Sequence, residues 1–126
     1  MSRIIASVIL VLIVIGSCVT GEVIVHNCND KISSKIEVAA KLADSGDIAG
    51  AEKAARATES AFADCEGALA VFINHTLVED LGEQIARLPT LATEETKAEF
   101  LSELASARIM LTHIVRDNRP TLLNIL

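Results

Sequence analysis

The strongest pattern in the chain is an uncharged apolar stretch at residues 4–21, which reads IIASVILVLIVIGSCVTG. Arg3 precedes the stretch and Glu22 follows it. These eighteen residues would extend about 27 Å as an α-helix, close to the roughly 30 Å apolar thickness of a bilayer. Because a backbone in hydrocarbon must satisfy its own hydrogen bonds, the stretch is predicted to be a transmembrane or signal helix.

Three processing routes are consistent with this leader, residues 1–21. We favour a retained signal-anchor, because the apolar run is longer than the roughly 7–15 residues of a cleaved signal core. The runner-up is a lipoprotein lipidated at Cys18, since Ile15-Gly16-Ser17-Cys18 has the form of a bacterial lipoprotein-processing box. The third is a secreted protein cleaved after Val19-Thr20-Gly21. Charge bias keeps Arg3 in the cytoplasm, and all three routes place residues 22–126 outside it.

From residue 25 onward, apolar and small residues recur at helical spacing, with polar residues on the opposite face. The first helix is predicted to continue directly out of the apolar stretch and to end at Asp44-Ser45-Gly46-Asp47. Gly46 suits the left-handed position after a helix, and Asp47 or Ser45 suits the next N-cap.

Residues 48–88 keep the helical pattern for about 60 Å, which is too long for one helix of a small domain. A break is therefore expected at Asn74-His75-Thr76, with Asn74 or Thr76 as N-cap. Glu79 and Asp80 would then lie in or near the first turn of the third helix, where carboxylates favour a helix start.

Pro89 and residues 90–93 are expected to stop the third helix. Thr93 is the predicted N-cap of the fourth, with Glu94 and Glu95 in its first turn. The fourth helix should end at residues 118–120, and the apolar tail at residues 121–126 should pack back on the bundle. The predicted fold is all-α, with the N-terminal helix followed by a small antiparallel up-and-down bundle of three to four helices at residues 22–126.

Composition and charge limit the partners of this domain. Residues 22–126 contain ten Lys and Arg residues and 17 Asp and Glu residues. Their formal charge is therefore 10 − 17 = −7, compared with −6 for the whole chain. An acidic domain with three Phe and no Trp or Tyr has neither the basic surface nor the stacking platform of a nucleic-acid-binding protein.

Cysteine positions predict one cross-link. A helical hairpin that turns at Gly46-Asp47 pairs residues whose numbers sum to about 93, as do those of Cys28 and Cys65. In an oxidising compartment these two would form a disulfide, which we favour over two buried thiols.

Two pairs with a spacing of four residues invite a metal interpretation, namely His75 with Glu79 and His113 with Asp117. Hairpin geometry sets the two histidines about 7.5 Å apart along the bundle axis, so exposed or hydrogen-bonded histidines are the preferred interpretation and no cofactor is expected. Asn74-His75-Thr76 is also a glycosylation sequon, which matters only in a eukaryotic secretory pathway.

The chain resembles the bacterial family known as domain of unknown function 4363. The resemblance is carried by the N-terminal apolar helix and by three short motifs, which are Gly46-Asp47-Ile48-Ala49-Gly50-Ala51, Phe72-Ile73-Asn74-His75 and Asn124-Ile125-Leu126. The family has no established activity, so the resemblance implies no catalytic residue. It implies only that His75 marks a shared structural junction.

The functional expectation is a membrane-tethered, non-enzymatic bundle outside the cytoplasm that contacts other envelope proteins or itself. Its contact surface would be a groove between helices or the apolar tail at Leu122–Leu126. The alternative is a small metal- or ligand-binding bundle that uses His75, Glu79, His113 and Asp117.

Overall fold

A computed structural model describes residues 1–117 of the chain. Within that range the chain forms four α-helices: α1 (Ser2–Asp44), α2 (Ile48–Phe72), α3 (His75–Leu91) and α4 (Lys97–Asp117). The predicted all-α class, with a long apolar N-terminal helix followed by a helical bundle, is confirmed. The predicted end of α4 at residues 118–120 and the predicted packing of the tail lie outside the described residues.

Helix α1 is one continuous element of 43 residues, as the sequence predicted. Every residue before Gly21 is exposed, and Gly21 is the first that is buried. From there buried residues recur every three or four positions along a single face, at Gly21, Val25, Cys28, Ile32, Ile36, Ala39 and Ala43. The first half of α1 therefore projects from the bundle, and the second half forms one of its walls.

The helices pack as a closed ring in which each contacts two neighbours. The packed pairs are α1 with α2, α2 with α3, α3 with α4, and α4 with α1. Short connections make successive helices antiparallel. One end of the bundle, here called the base, holds Gly21, the end of α2 at Phe72 and the start of α3. The opposite end, the top, holds the α1–α2 turn and the α3–α4 loop.

Many of the buried side chains on α2 are small, whereas the largest buried side chains lie mostly on the other helices. Ala51, Ala54, Ala55 and Ala61 are buried on α2, while the largest fully buried side chains include Ile32, Ile36, Leu81, Leu88 and Phe100. Alanine on one helix lets the next approach closely, so the branched side chains opposite fill the space between them. The core runs as one contiguous cluster through the described helices.

The α1–α2 and α2–α3 turns use the caps predicted from the sequence. Gly46 has a φ of 87°, which is the left-handed conformation expected after α1. Asp47 Oδ1 accepts a hydrogen bond from the Gly50 N–H at 2.9 Å. Asn74 Oδ1 accepts one from the Thr76 N–H at 2.9 Å. Each bond satisfies a backbone donor that has no partner inside its helix.

The start of α3 differs from the prediction in one respect. Glu79 is the fifth residue of α3, and neither it nor Asp80 lies in the first turn, which contains no acidic residue. Glu79 instead reaches back one turn, and its Oε1 lies 2.8 Å from His75 Nε2.

The α3–α4 connection was predicted less well. Helix α3 includes Pro89 and ends at Leu91. Pro89 has no N–H to donate to the preceding turn, and only Thr90 and Leu91 follow it before the helix ends. Helix α4 begins at Lys97, so Glu94 and Glu95 lie in the loop and not in its first turn.

Thr93 is not the N-cap of α4, because Thr96 is the residue that precedes Lys97, but its Oγ1 accepts from the Thr96 N–H at 3.2 Å within the loop. The Thr96 hydroxyl donates to the Leu91 carbonyl at 2.7 Å, and the same carbonyl accepts from the Thr93 N–H at 2.8 Å. The Thr93 hydroxyl must therefore donate to Thr96 Oγ1, 2.6 Å away. This hydrogen-bonded pair delays the start of α4 by three residues.

Two helical glycines provide a matched test of the α2–α3 packing. A Cβ on Gly82 would lie 2.9 Å from Cε1 of the buried Phe62 ring, whereas a Cβ on Gly67 would meet nothing within 4 Å. We expect Gly67→Ala to raise the free energy of unfolding by about 0.5–1 kcal/mol through helix propensity. We expect Gly82→Ala to lower it by about 1 kcal/mol, because overpacking outweighs that gain. Urea unfolding of the full chain in detergent measures both, and equal gains would contradict the close contact.

Candidate functional site

A recess with a volume of about 530 Å³ runs between α2 and α3. We call it the acidic groove. Its walls carry glutamates and its floor carries apolar and small residues. The lining residues are Glu59, Phe62, Ala63 and Glu66 from α2, and Glu79, Gly82, Glu83 and Ala86 from α3.

Helical spacing creates this groove. The α2 residues repeat at intervals of three and four, and so do the α3 residues, so each set occupies one face of its helix. Gly82 has no side chain and lies against the Phe62 ring. Ala63 and Ala86 are also short, so a recess remains between the longer glutamates.

The groove carries negative charge that the bundle does not neutralise. Of its four glutamates, Glu79 pairs with His75 at 2.8 Å. Glu59, Glu66 and Glu83 form no ion pair among residues 1–117. No Lys or Arg lines the groove. An acidic recess with an apolar floor attracts a cationic segment and offers apolar contact once that segment is bound.

Several basic side chains on these helices and their neighbours form ion pairs outside the groove, including Arg56 Nη2 with Glu52 Oε1 at 2.9 Å. Lys31 Nζ on α1 lies 3.4 Å from Asp64 Oδ2 on α2. Arg87 and Gln84 on α3 both approach Glu103 on α4, and the Gln84 amide donates to Glu103 Oε2 at 3.0 Å. These contacts join α1 to α2 and α3 to α4, and no ion pair among residues 1–117 joins α2 to α3.

The cysteines predicted to pair lie together. Cys28 and Cys65 are both buried, their sulfur atoms are at disulfide distance, and their Cα atoms are 5.9 Å apart. A disulfide normally requires Cα atoms between about 4.4 and 6.8 Å apart. The pair fixes the register of α1 against α2. Cys28 is level with Cys65, and other residues of the two helices whose numbers sum to 93, such as Gly21 and Phe72, are also level with each other.

The metal candidates are not gathered into one site. His75 and Glu79 are neighbours on α3, but His113 Nδ1 lies 2.9 Å from Arg116 Nη2 on α4. The side chain of Asp117 lies outside the described part of the chain. In that part, no group of three or more His, Cys, Asp or Glu residues could hold a metal ion.

Cys18, the lipidation candidate, is a free and exposed cysteine in the projecting half of α1. Asn74 of the sequon is also exposed, and its side chain is the cap of α3. The candidate contact surface at Leu122–Leu126 lies beyond the described residues.

The projecting half of α1 has the composition and the internal bonding of a membrane span. Its most apolar 18-residue window has a mean hydropathy of 2.7 and is 6% buried in the bundle. A signal sequence would meet the same criteria. The hydroxyls of Ser7, Ser17 and Thr20 each donate to a carbonyl four residues earlier, at 2.8–2.9 Å. These polar groups therefore need no partner from outside the helix.

The acidic groove was not identified from the sequence, although Glu79 was considered as a metal ligand. The available signal was the spacing of Glu59 with Glu66 and of Glu79 with Glu83, beside small residues on the same faces. That signal becomes specific only when the rotation of α2 against α3 is known.

These observations define a class of protein, an antiparallel helical bundle whose first helix continues outward as a long apolar rod. A family model described as a domain of unknown function, DUF4363, matches residues 19–125. The chain belongs to this family, as the resemblance indicated. Because the match begins at residue 19, it covers the bundle and little of the apolar stretch. Comparisons with curated proteins and with solved structures found no match.

The Cys28–Cys65 pair has a direct stability test. We expect the double variant Cys28→Ala/Cys65→Ala to lose about 3–4 kcal/mol of unfolding free energy, because the closed loop restricts the unfolded chain. Reductant should destabilise the wild type by a similar amount and leave the double variant unchanged. Cys18→Ala is the control, since its thiol is exposed and unbonded. If unfolding of the wild type does not respond to reductant, the two cysteines are not bridged.

Proposed function

We propose that this protein is a membrane-tethered helical bundle that lies outside the cytoplasm and acts by contact with other proteins, without catalysis. The observation that carries the proposal is the continuity of α1. Residues 2–20 are exposed and mostly apolar, and the same helix enters the bundle core at Gly21 and Val25. Water is a poor solvent for so large an apolar surface, and a bilayer is a good one.

Charge and cysteine chemistry support the proposed orientation. Arg3 stands at the far end of the apolar stretch, where the positive-inside rule favours the cytoplasm. Residues 22–126 would then be on the opposite side of the membrane. A compartment outside the cytoplasm allows Cys28 and Cys65, which lie at disulfide distance, to be oxidised.

The acidic groove is the proposed contact surface. Three of its glutamates have no partner in the described bundle, and its floor offers Phe62 and alanine side chains. The occupant that fits best is a Lys- or Arg-rich segment of another envelope protein with small apolar residues between its charges. The glutamates would steer such a segment, and the floor would hold it.

Site-specific photo-cross-linking in intact cells tests this proposal. A photoreactive residue at Ala63, in the groove, should give an adduct of defined mass, and one at the exposed Ala105 on α4 should not. Reversing the groove charge with Glu59→Lys/Glu83→Lys should abolish the adduct, because the partner is held by opposite charge.

The matched control reverses two exposed acids outside the groove, with Glu94→Lys/Glu99→Lys. It changes the net charge equally and should leave the Ala63 adduct intact. An adduct that survives reversal in the groove, or recovery of only the monomer, would contradict the proposed contact surface.

A further inference from the structure

Large apolar side chains outside the projecting half of α1 are exposed unevenly over the bundle. Among residues 21–116, those more than one-third exposed are Val23, Val38, Val71, Phe72, Leu77 and Ile109. Four of them lie near the base and come from three different helices: Val23 on α1, Val71 and Phe72 on α2, and Leu77 on α3. We call these four the collar. Val71 is 74% exposed and lies outside the hydrophobic core that the described residues form.

The collar lies at the level where the apolar rod enters the bundle. A Cβ on Gly21 would lie 2.7 Å from the Phe72 ring, so the ring packs directly on α1 at that residue. Val23 is two residues further along α1, and Val71 precedes Phe72 on α2, so each lies within about 3 Å of this level. Leu77 is in the first turn of α3, less than about 6 Å above the start of that helix.

This level coincides with the edge of a bilayer if the rod crosses one. Residues 2–20 extend about 28 Å as a helix, which nearly equals the roughly 30 Å hydrocarbon thickness. The headgroup layer beyond it is about 5–7 Å deep on each side. The collar therefore falls within the headgroup layer, where apolar side chains can reach the acyl boundary.

We propose that the base of the bundle rests on the membrane that α1 spans, with Val23, Val71, Phe72 and Leu77 in contact with lipid. This inference depends on the proposed tether. Lipid is the occupant because the collar borders the site where an unbroken helix leaves the bundle, so a membrane around that helix meets the collar directly. The segments that carry the collar, residues 19–25 and 68–78, contain no Lys or Arg, so contact should not need anionic lipid.

Contact between the collar and lipid would fix the height of the bundle above the bilayer. The acidic groove contains Glu66 and Glu79 toward the base and Glu59 and Glu83 further up. A bundle held at one height presents this groove close to the membrane surface. Its partner would then be a cationic segment that lies near the same surface, such as the juxtamembrane part of another membrane protein.

Trp fluorescence can test this proposal, because the sequence contains no Trp and a single introduced Trp reports on its own position alone. The full chain, placed in phosphatidylcholine vesicles, receives one Trp at a time, and brominated lipids quench its fluorescence only when they touch it. Val71→Trp reports on the collar. Val38→Trp is the matched control, because it replaces another exposed valine on a helix of the same bundle, about 25 Å above Gly21. Leu12→Trp reports on the span itself.

We expect Leu12→Trp to be quenched strongly by lipids brominated deep in the acyl chain. Val71→Trp should lose emission with lipids brominated near the headgroup and should show a blue-shifted spectrum, while Val38→Trp should show neither effect. Replacing part of the phosphatidylcholine with anionic lipid should not change this pattern. Leu77→Trp gives a second report from α3 should Val71→Trp misfold.

The outcomes separate this inference from the proposed tether. If Leu12→Trp is quenched while Val71→Trp and Leu77→Trp resemble Val38→Trp, the bundle is held away from the membrane and the collar proposal is wrong. If Leu12→Trp is not quenched, the tether and the collar proposal both fail. A blue shift of Val71→Trp that depends on protein concentration in detergent, without quenching in vesicles, would assign the collar to a second copy of the chain and overturn lipid contact.

Discussion

The hydrogen-bonded continuity of α1 is the constraint on which the rest of the structure depends. Two environments meet on this one helix: a projecting half that is apolar on every side, and a bundle half that is apolar along one face. No glycine or proline hinge separates them, because Gly21 is helical and is packed against Phe72. An unbroken helix therefore holds the bundle at a fixed distance and orientation relative to the projecting half of α1.

The remaining helices take their positions from α1. Cys28 and Cys65 set the level of α2, and the ring of packed neighbours then places α3 and α4. This register brings Gly21 opposite Phe72 and so creates the base. Gly82 against Phe62 sets the approach of α3 to α2, which forms the acidic groove between them. The two candidate surfaces are therefore consequences of helix register and of missing side chains at two glycines.

Much of this fold is readable from the sequence, because local chemistry decides it. Gly46, Asp47 and Asn74 mark turns by conformations and caps that few other residues supply. The Cys28–Cys65 pairing follows from the position of one turn and from helix geometry alone. The end of α3 does not follow in this way, since Pro89 is tolerated two residues before it. Nor does the start of α4, which depends on how Thr93 and Thr96 share hydrogen bonds across the loop.

The acidic groove and the collar lie beyond sequence reasoning for a different reason. Both are defined by which faces of neighbouring helices remain uncovered, and this depends on helix rotation. Glu59 and Glu83 are ordinary surface acids until α2 and α3 are placed side by side. The sequence shows only that Val71 is a valine near the end of a helix. Its place in the collar becomes apparent once the structure shows that it is level with Gly21.

Amide hydrogen exchange of the full chain in lipid nanodiscs tests the central claim most directly. If α1 is one helix from its projecting half into the bundle, the amides of residues 18–25 will exchange as slowly as those of the buried segment around Ile32 and Ile36. Rapid exchange confined to residues 18–25, between two protected segments, or a mature chain that begins at Glu22, would contradict it.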